Sequence, residues 1–211
     1  MSDPNPPAPS SGLGAGPQLA ILIVVAAVMA LAAMRLLHGP ARTPGERTLP
    51  HLFDAPKFQM TDEAGKSLSS QDLLGKVWIA DFFFTACQGP CPAMSAEMAS
   101  LSRKIAGDVR FVSFSVDPKR DTPAVLSEYA GRYDADQARW ILLTEPGTSY
   151  LDLAEGFRVM AKPSDGSHPI IHSERFFLVD QKGRVRGSYL WNNADDLDRL
   201  MSDALTLQAE R

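Results

Sequence analysis

The sequence predicts an α/β domain built on a mixed sheet whose central strands are parallel. Three observations lead to this fold class. Apolar runs of strand length at 75–84, 109–117 and 138–144 alternate with segments of helical periodicity. A later hairpin, 173–191, is followed by an amphipathic helix. Strands separated by helices are typical of parallel pairing, whereas a hairpin contributes antiparallel strands.

The first elements follow in chain order from Lys57. Residues 57–70 hold a glycine-containing turn between two short stretches of mixed polarity, which indicates a hairpin. The run GKVWIADFFF, 75–84, is interrupted only by Asp81, as expected of a strand buried on both faces. A helical pattern then extends to about Ala106, and VRFVSFSVD is the second strand of the sheet.

The later elements are predicted in the same way. The segment TPAVLSEYAGRY, 122–133, predicts a helix with Thr122 as its N-cap and Pro123 at its first position. The third strand precedes a helix at TSYLDLAEGFRVMA. The late hairpin turns at Lys182–Gly183, and DDLDRLMSDALTLQ closes the chain as a helix.

The chain ahead of this domain divides into three predicted segments. Residues 1–18 are rich in Pro, Gly and Ser and are predicted to be disordered. Residues 19–37 are predicted to be a transmembrane anchor, because the stretch 13–34 has no charge and about 20 apolar residues cross a bilayer core. Residues 38–52 form a proline-containing linker, and 53–211 form the domain.

A cleaved signal peptide is the alternative to an anchor, because ALA at 30–32 supplies small residues. A signal peptide needs a basic amino-terminal region, and residues 1–18 carry Asp3 as their only charge, so an uncleaved anchor is favoured.

All 21 basic residues lie at or after Arg35. Taken alone, the positive-inside bias therefore places the C-terminal domain in the cytoplasm. The net charge of −4 argues against a nucleic-acid partner.

The only two cysteines, Cys87 and Cys91, directly follow the strand at 75–84. Ligands of parallel sheets bind at the carboxyl ends of the strands, so this loop lies at the edge where a site is expected. Residues before proline avoid the helical region, which predicts Cys91 as an N-cap and Pro92 as the first helical residue. The amino end of a helix favours a thiolate.

Three chemistries use such a pair of thiols. A structural disulfide across so short a ring removes little chain entropy and is the weakest explanation. A redox-active dithiol is reasonable, although the usual redox motif has two residues between its cysteines and this one has three. Two thiolates suit copper(I), whereas zinc normally takes four protein ligands. The residues themselves leave the redox and metal alternatives open.

A metal site needs a third ligand, and four histidines are present. His38 and His51 lie in the linker, where solvation is expected. His168 and His172 flank PII just ahead of the strand that begins the late hairpin. A loop histidine is more often a solvent-facing residue than a ligand, so neither is assigned on position alone.

Three blocks resemble, in order, the signature blocks of the Sco/SenC family: DFFFTACQGPCPAM, FSVDPKRDTPAVLSEYA and IHSERFFLVDQKGRV. These are membrane-anchored copper-binding proteins that assist assembly of the dinuclear copper site in cytochrome c oxidase. The resemblance covers the chain from about Phe58. It implies a thioredoxin-like domain behind one helix in the inner (cytoplasmic) membrane, facing the periplasm or an equivalent oxidising side. That orientation is opposite to the one that the arginines favour.

Carried over by position, the resemblance implies a metal site of Cys87, Cys91 and His172. Such a site holds copper(I) and, with adjusted geometry, copper(II). Asp117 matches an acidic residue near the family's site, although its place at the end of a strand explains it equally well. The chain departs from the family twice: the spacer QGP lacks an acidic residue, and Ile171 stands where the family commonly has Asp.

The implied function is a chaperone that passes copper to the copper-site subunit of cytochrome c oxidase or to another cuproprotein. Nothing is turned over, so such a protein is not strictly an enzyme. The alternative is a thiol–disulfide oxidoreductase or redox sensor, which needs Cys87 and Cys91 as its redox-active pair but not His172. A peroxide-reducing enzyme is more distant, since only Thr85 of the residues it would need lies close by.

Overall fold

The computed structural model describes residues 21–30, 48–134, 136, 138–161 and 173–210. The chain divides into two compact units, 1–43 and 44–211. The described part of the first unit, residues 21–30, is helical with exposed side chains. Within the described ranges, no helix combines the length and apolar character needed to cross a membrane. The predicted head, most of the predicted anchor and the linker up to residue 47 lie outside these ranges.

The described part of the second unit contains one mixed sheet of eight strands in the order β1-β8-β7-β4-β5-β6-β2-β3. Strands β4, β5 and β6 pair in parallel and the other pairs are antiparallel, which confirms the predicted sheet. The strands are β1 (Phe53–Asp54), β2 (Gln59–Asp62), β3 (Ser67–Ser69), β4 (Val77–Phe83), β5 (Val109–Ser115), β6 (Trp140–Thr144), β7 (Arg175–Val179) and β8 (Arg184–Leu190).

Four α-helices of this unit follow the predicted order, together with a short 3₁₀ helix at Ser70–Leu73. They are α1 (Cys91–Lys104), α2 (Pro123–Gly131), α3 (Tyr150–Gly156) and α4 (Ala194–Ala209). Thr122 occupies the N-cap position of α2 without a side-chain capping hydrogen bond, and Pro123 is its first residue, as predicted. Helix α3 ends earlier than the predicted segment because Arg158 adopts a left-handed conformation, φ 58°. The Arg158 and Val159 N–H groups then donate to the carbonyls of Glu155 and Ala154, which is a Schellman ending.

The sheet has an apolar layer on each face. All seven residues of β4 are buried, as predicted for this run, and alternate residues point to opposite faces. The first core cluster joins Val77, Ile79 and Phe83 to buried residues of α1, α2 and α4. The second core cluster joins Trp78, Ala80 and Phe82 to residues of α3 and β2. Burying each large apolar side chain contributes roughly 1.5–3 kcal/mol.

One edge of the sheet collects several chain ends. β4 and β5 run in parallel, so their carboxyl ends, Phe83 and Ser115, lie side by side. β7 is antiparallel to β4, with Ala80 opposite Phe177, so β7 begins where β4 ends. We call this region the cysteine edge, defined by Phe83, Ser115 and Arg175. The loop that carries both cysteines leaves the sheet there, as the strand order predicted.

Candidate metal centre

The cysteine loop begins with a tight turn and ends in a helix. The Cys87 N–H donates to the Phe84 carbonyl at 3.3 Å, and the Met94 N–H donates to the Pro90 carbonyl at 2.9 Å. Cys91 is the first residue of α1, one position earlier than predicted. The reason is that Pro90 already has helical dihedral angles, φ −74° and ψ −24°, and acts as the N-cap.

The short loop brings the two sulfurs together. Cys87 is partly exposed and Cys91 is fully buried, and both are reduced. The two thiols interact as hydrogen-bonding neighbours. The Cys87 side chain is therefore partly accessible to solvent, whereas Cys91 packs within the first core cluster.

The predicted thiolate character of Cys91 is not favoured in the reduced domain. Burial raises the pKa of the Cys91 thiol well above its usual range, and the neighbouring Cys87 thiol raises it further. The Phe84 backbone, which hydrogen-bonds to Cys91, opposes this shift only in part. Desolvation thus outweighs the amino end of the helix, because Cys91 lies inside the apolar layer and not on the surface.

The carboxylate of Asp121 supports the start of the cysteine loop. The sequence patterns did not single it out as a site residue. Asp121 is fully buried. Its carboxyl oxygens accept hydrogen bonds from the Thr85 N–H at 3.2 Å, the Thr85 hydroxyl at 2.5 Å and the Ser115 hydroxyl at 2.6 Å. Burial raises the pKa of Asp121, and these hydrogen bonds oppose the shift. Only its place in the block DPKRDTP marked it in the sequence.

Asp81 is the one charged residue of β4. It is buried on the face of the sheet that carries the first core cluster. Its side chain is 1% exposed, and neither carboxyl oxygen has a partner of ordinary geometry among the described residues. Burial raises the pKa of Asp81 to about 7, and the Ser113 side chain opposite it opposes this only in part. Its negative charge also disfavours a thiolate at Cys91.

The remaining predicted residues are placed less centrally. Asp117 pairs with Arg120 at 3.8 Å, and its backbone carbonyl closes the turn after β5. His51 is exposed and pairs with Asp54 at 3.0 Å. His168, Ile171 and His172 lie outside the described residues.

The donor set at the cysteine edge suits a soft metal. Two thiols at one point match copper(I), which prefers thiolate ligands. In the part of the chain that the structure describes, no group of three or more His, Cys, Asp or Glu side chains could hold a metal ion. The described residues thus supply the two thiol donors of the predicted site.

Fold and site together define a class: a thioredoxin-like α/β domain with paired thiols between a central parallel strand and the helix that follows it. The SCO1/SenC family model matches residues 48–204. The chain therefore belongs to the SCO1/SenC family, which confirms the resemblance seen in its three sequence blocks.

Individual relatives agree with this assignment. The SCO1 protein homolog of Bacillus subtilis strain 168 is 34% identical over 156 residues, 72% of this chain and 81% of that protein. BsSco, a member of the Sco family of cytochrome c oxidase assembly proteins in which a disulfide switch was identified, is 32% identical with a TM-score of 0.69, covering 78% of this chain and 99% of its own. ScoI of Bradyrhizobium japonicum, solved with copper bound, is 27% identical with a TM-score of 0.60. The match covers 73% of this chain and 99% of the ScoI chain.

Proposed function

We propose that this protein is a membrane-anchored copper chaperone that holds copper on Cys87 and Cys91 and passes it to an oxidase subunit. The observation that carries the proposal is the pair of adjacent reduced thiols at the cysteine edge. Copper is cargo here, so binding must be strong yet reversible. The partly exposed Cys87 provides a sulfur that an incoming ligand can replace, while the buried Cys91 retains the metal until transfer.

His172 is the proposed third ligand. It precedes Arg175 by three positions, and Arg175 begins β7 at the cysteine edge. Copper(I) accepts two thiolates and an imidazole, and copper(II) accepts the same donors with adjusted geometry.

The proposed acceptor is the copper-site subunit of cytochrome c oxidase or another cuproprotein. Relatives support it by their own properties: BsSco belongs to a family of cytochrome c oxidase assembly proteins, and the Bradyrhizobium protein was solved with copper bound. Transfer by ligand exchange requires no turnover of a substrate, so the protein is proposed to act as a chaperone and not as an enzyme.

A competition titration tests the metal site. Full-length protein in detergent, reduced and anaerobic, is titrated with copper(I) against a chelator of known affinity. We expect tight one-to-one binding, abolished in Cys87→Ser and Cys91→Ser and weakened about 10-fold or more in His172→Ala, because a ligand is lost. His168→Ala is the matched control and should retain wild-type affinity. Wild-type affinity in His172→Ala would contradict the three-ligand site.

A thiol–disulfide oxidoreductase or redox sensor is the second candidate. The observation that favours it is the asymmetry of the pair, with one thiol accessible and the other buried. The disulfide switch identified in BsSco is consistent with this role. If the titration detects no tight copper binding while the cysteines form a reversible disulfide, this second function replaces the first.

The anchor and its orientation complete the proposal: residues 19–37 cross the inner membrane once, and the domain faces the periplasm or an equivalent oxidising side. The support is the uncharged stretch 13–34. A membrane-impermeant maleimide should label reduced Cys87 in cells whose outer barrier is permeabilised but whose inner membrane is intact. Labelling that appears only after inner-membrane lysis would place the domain in the cytoplasm.

A further inference from the structure

The carboxylate of Asp121 is buried without a cationic partner among the described residues. It is 0% exposed, and no ion pair in the described part of the chain involves it. The nearest basic residue in sequence, Arg120, pairs with Asp117, and its side chain is 66% exposed. Burying a carboxyl group without a cation is costly.

Three donors converge on this carboxyl group. They are the backbone N–H and the hydroxyl of Thr85, and the hydroxyl of Ser115. An ionised carboxylate only accepts, and its two oxygens accommodate all three donors at once. An asparagine amide would instead have to donate its N–H₂ group to one of the two hydroxyls, which would then act as an acceptor. An aspartate accepts from all three groups without that rearrangement and places a negative charge on them.

Thr85 adjoins the backbone that contacts both cysteines. It lies between Phe84 and Cys87 in the turn closed by the Cys87 N–H and the Phe84 carbonyl. The Phe84 backbone also hydrogen-bonds to Cys91. A shift of Thr85 would thus displace the turn that carries one cysteine and the backbone group that contacts the other.

The other side of Asp121 is firmly fixed. Ser115 ends β5, and the next residue, Val116, donates its N–H to the Phe83 carbonyl at 2.9 Å. The Asp121 N–H donates to the Asp117 carbonyl at 2.9 Å, which closes the turn between β5 and α2. The carboxylate therefore connects the cysteine loop to two strands of the central sheet.

We propose that Asp121 is a positioning residue for the cysteine pair. Through Thr85 it holds the two sulfurs at the separation that copper binding and disulfide formation require. This rests on the proposed function, because it assigns a role to Asp121 in a copper-binding or dithiol site. Asp117 makes none of these contacts with Thr85 among the described hydrogen bonds, and its side chain pairs with Arg120 in the same loop.

Asp121→Asn tests the role in the full-length protein in detergent. We expect its copper(I) affinity to fall about 10-fold, as is usual when a group that orients a metal ligand is lost. The equilibrium of its cysteine pair with glutathione should also shift about 10-fold, and the copper(II)–thiolate absorption band should move. The last two readouts report sulfur geometry, which general destabilisation does not change in the folded protein.

Variants at Thr85 keep the test decisive if Asp121→Asn does not fold. Thr85→Val removes the hydroxyl donor and should shift the same readouts in the same direction, by a smaller factor. Thr85→Ser keeps that donor and should match the wild type. If folded Asp121→Asn, or Thr85→Val in its place, shows wild-type copper affinity and a wild-type glutathione equilibrium, the proposal is wrong.

Asp180→Asn is the matched control, because Asp180 is 1% exposed and lies at the opposite end of the sheet. It should lower stability while leaving the copper and glutathione readouts unchanged. An equal shift in this control would mean that the readouts follow stability, and it would overturn the proposal. A wild-type protein that binds no copper would contradict the proposed function alone, since the glutathione equilibrium still tests the role of Asp121.

Discussion

At the residue scale, Asp81 shows how a single buried carboxyl group contributes to the pH dependence of the domain's stability. Burial raises its pKa from the ordinary 3.8 to about 7. Between these values the folded domain holds a proton that the unfolded chain has lost. The contribution to stability is therefore complete below pH 4 and declines as the pH rises to 7. Above pH 7 the folded domain contains an uncompensated buried charge.

Asp81→Asn should remove this decline. The free energy of unfolding of the wild type should fall by up to about 4 kcal/mol relative to Asp81→Asn between pH 4 and pH 8, since a tenfold change in proton affinity is about 1.4 kcal/mol. Urea unfolding of the reduced protein at pH 4, 6 and 8 measures the difference. The exposed carboxylate variant Asp198→Asn is the control and should retain the wild-type slope. Parallel curves for wild type and Asp81→Asn would contradict the assignment.

At the element scale, the interiors of helices and strands could be predicted from the sequence, and several ends could not. β4 was predictable because an apolar run interrupted only by Asp81 has few other stable placements. β1 was not, since two residues carry no periodicity and pair only through their contact with β8. The end of α3 was also missed, because its left-handed residue is Arg158 and not the expected glycine.

The end of α1 shows the physical reason most clearly. Arg139, 34 residues beyond the helix cap Ile105, donates to the carbonyls of Ser102 at 2.7 Å, Ile105 at 2.9 Å and Val109 at 3.3 Å. The helix is thus completed by a side chain distant in sequence, which no local pattern indicates. The same holds at the site. The cysteines were evident from spacing, but the contact between Asp121 and Thr85 depends on the pairing of β4 with β5.

At the scale of the whole molecule, one buried arginine joins three distant parts of the second unit. Arg186 of β8 is 4% exposed. Its guanidinium donates to Asp180 at 2.8 Å, to Glu210 after α4 at 2.9 Å and to the Leu49 carbonyl at 2.5 Å. The hydrogen bonds that Asp180 receives lower its pKa although burial acts in the opposite direction, so this carboxylate remains charged. The start of the domain, the late hairpin and the last helix therefore depend on one cation.

Arg186→Met should cost about 3–5 kcal/mol in the free energy of unfolding, because it leaves Asp180 buried with only Arg184 as a cationic partner. The loss acts at the end of the sheet opposite the cysteines, so copper affinity in the folded variant should match the wild type.

Hydrogen exchange should quicken first at the Leu52 and Ala55 amides, which pair with the carbonyls of Val185 and Gly183 beside this network. Arg132→Met, which removes a solvent-exposed pair with Glu128, should cost far less, because solvent screens that pair. Equal costs for the two arginines would mean that the buried network does not hold the ends of the domain together.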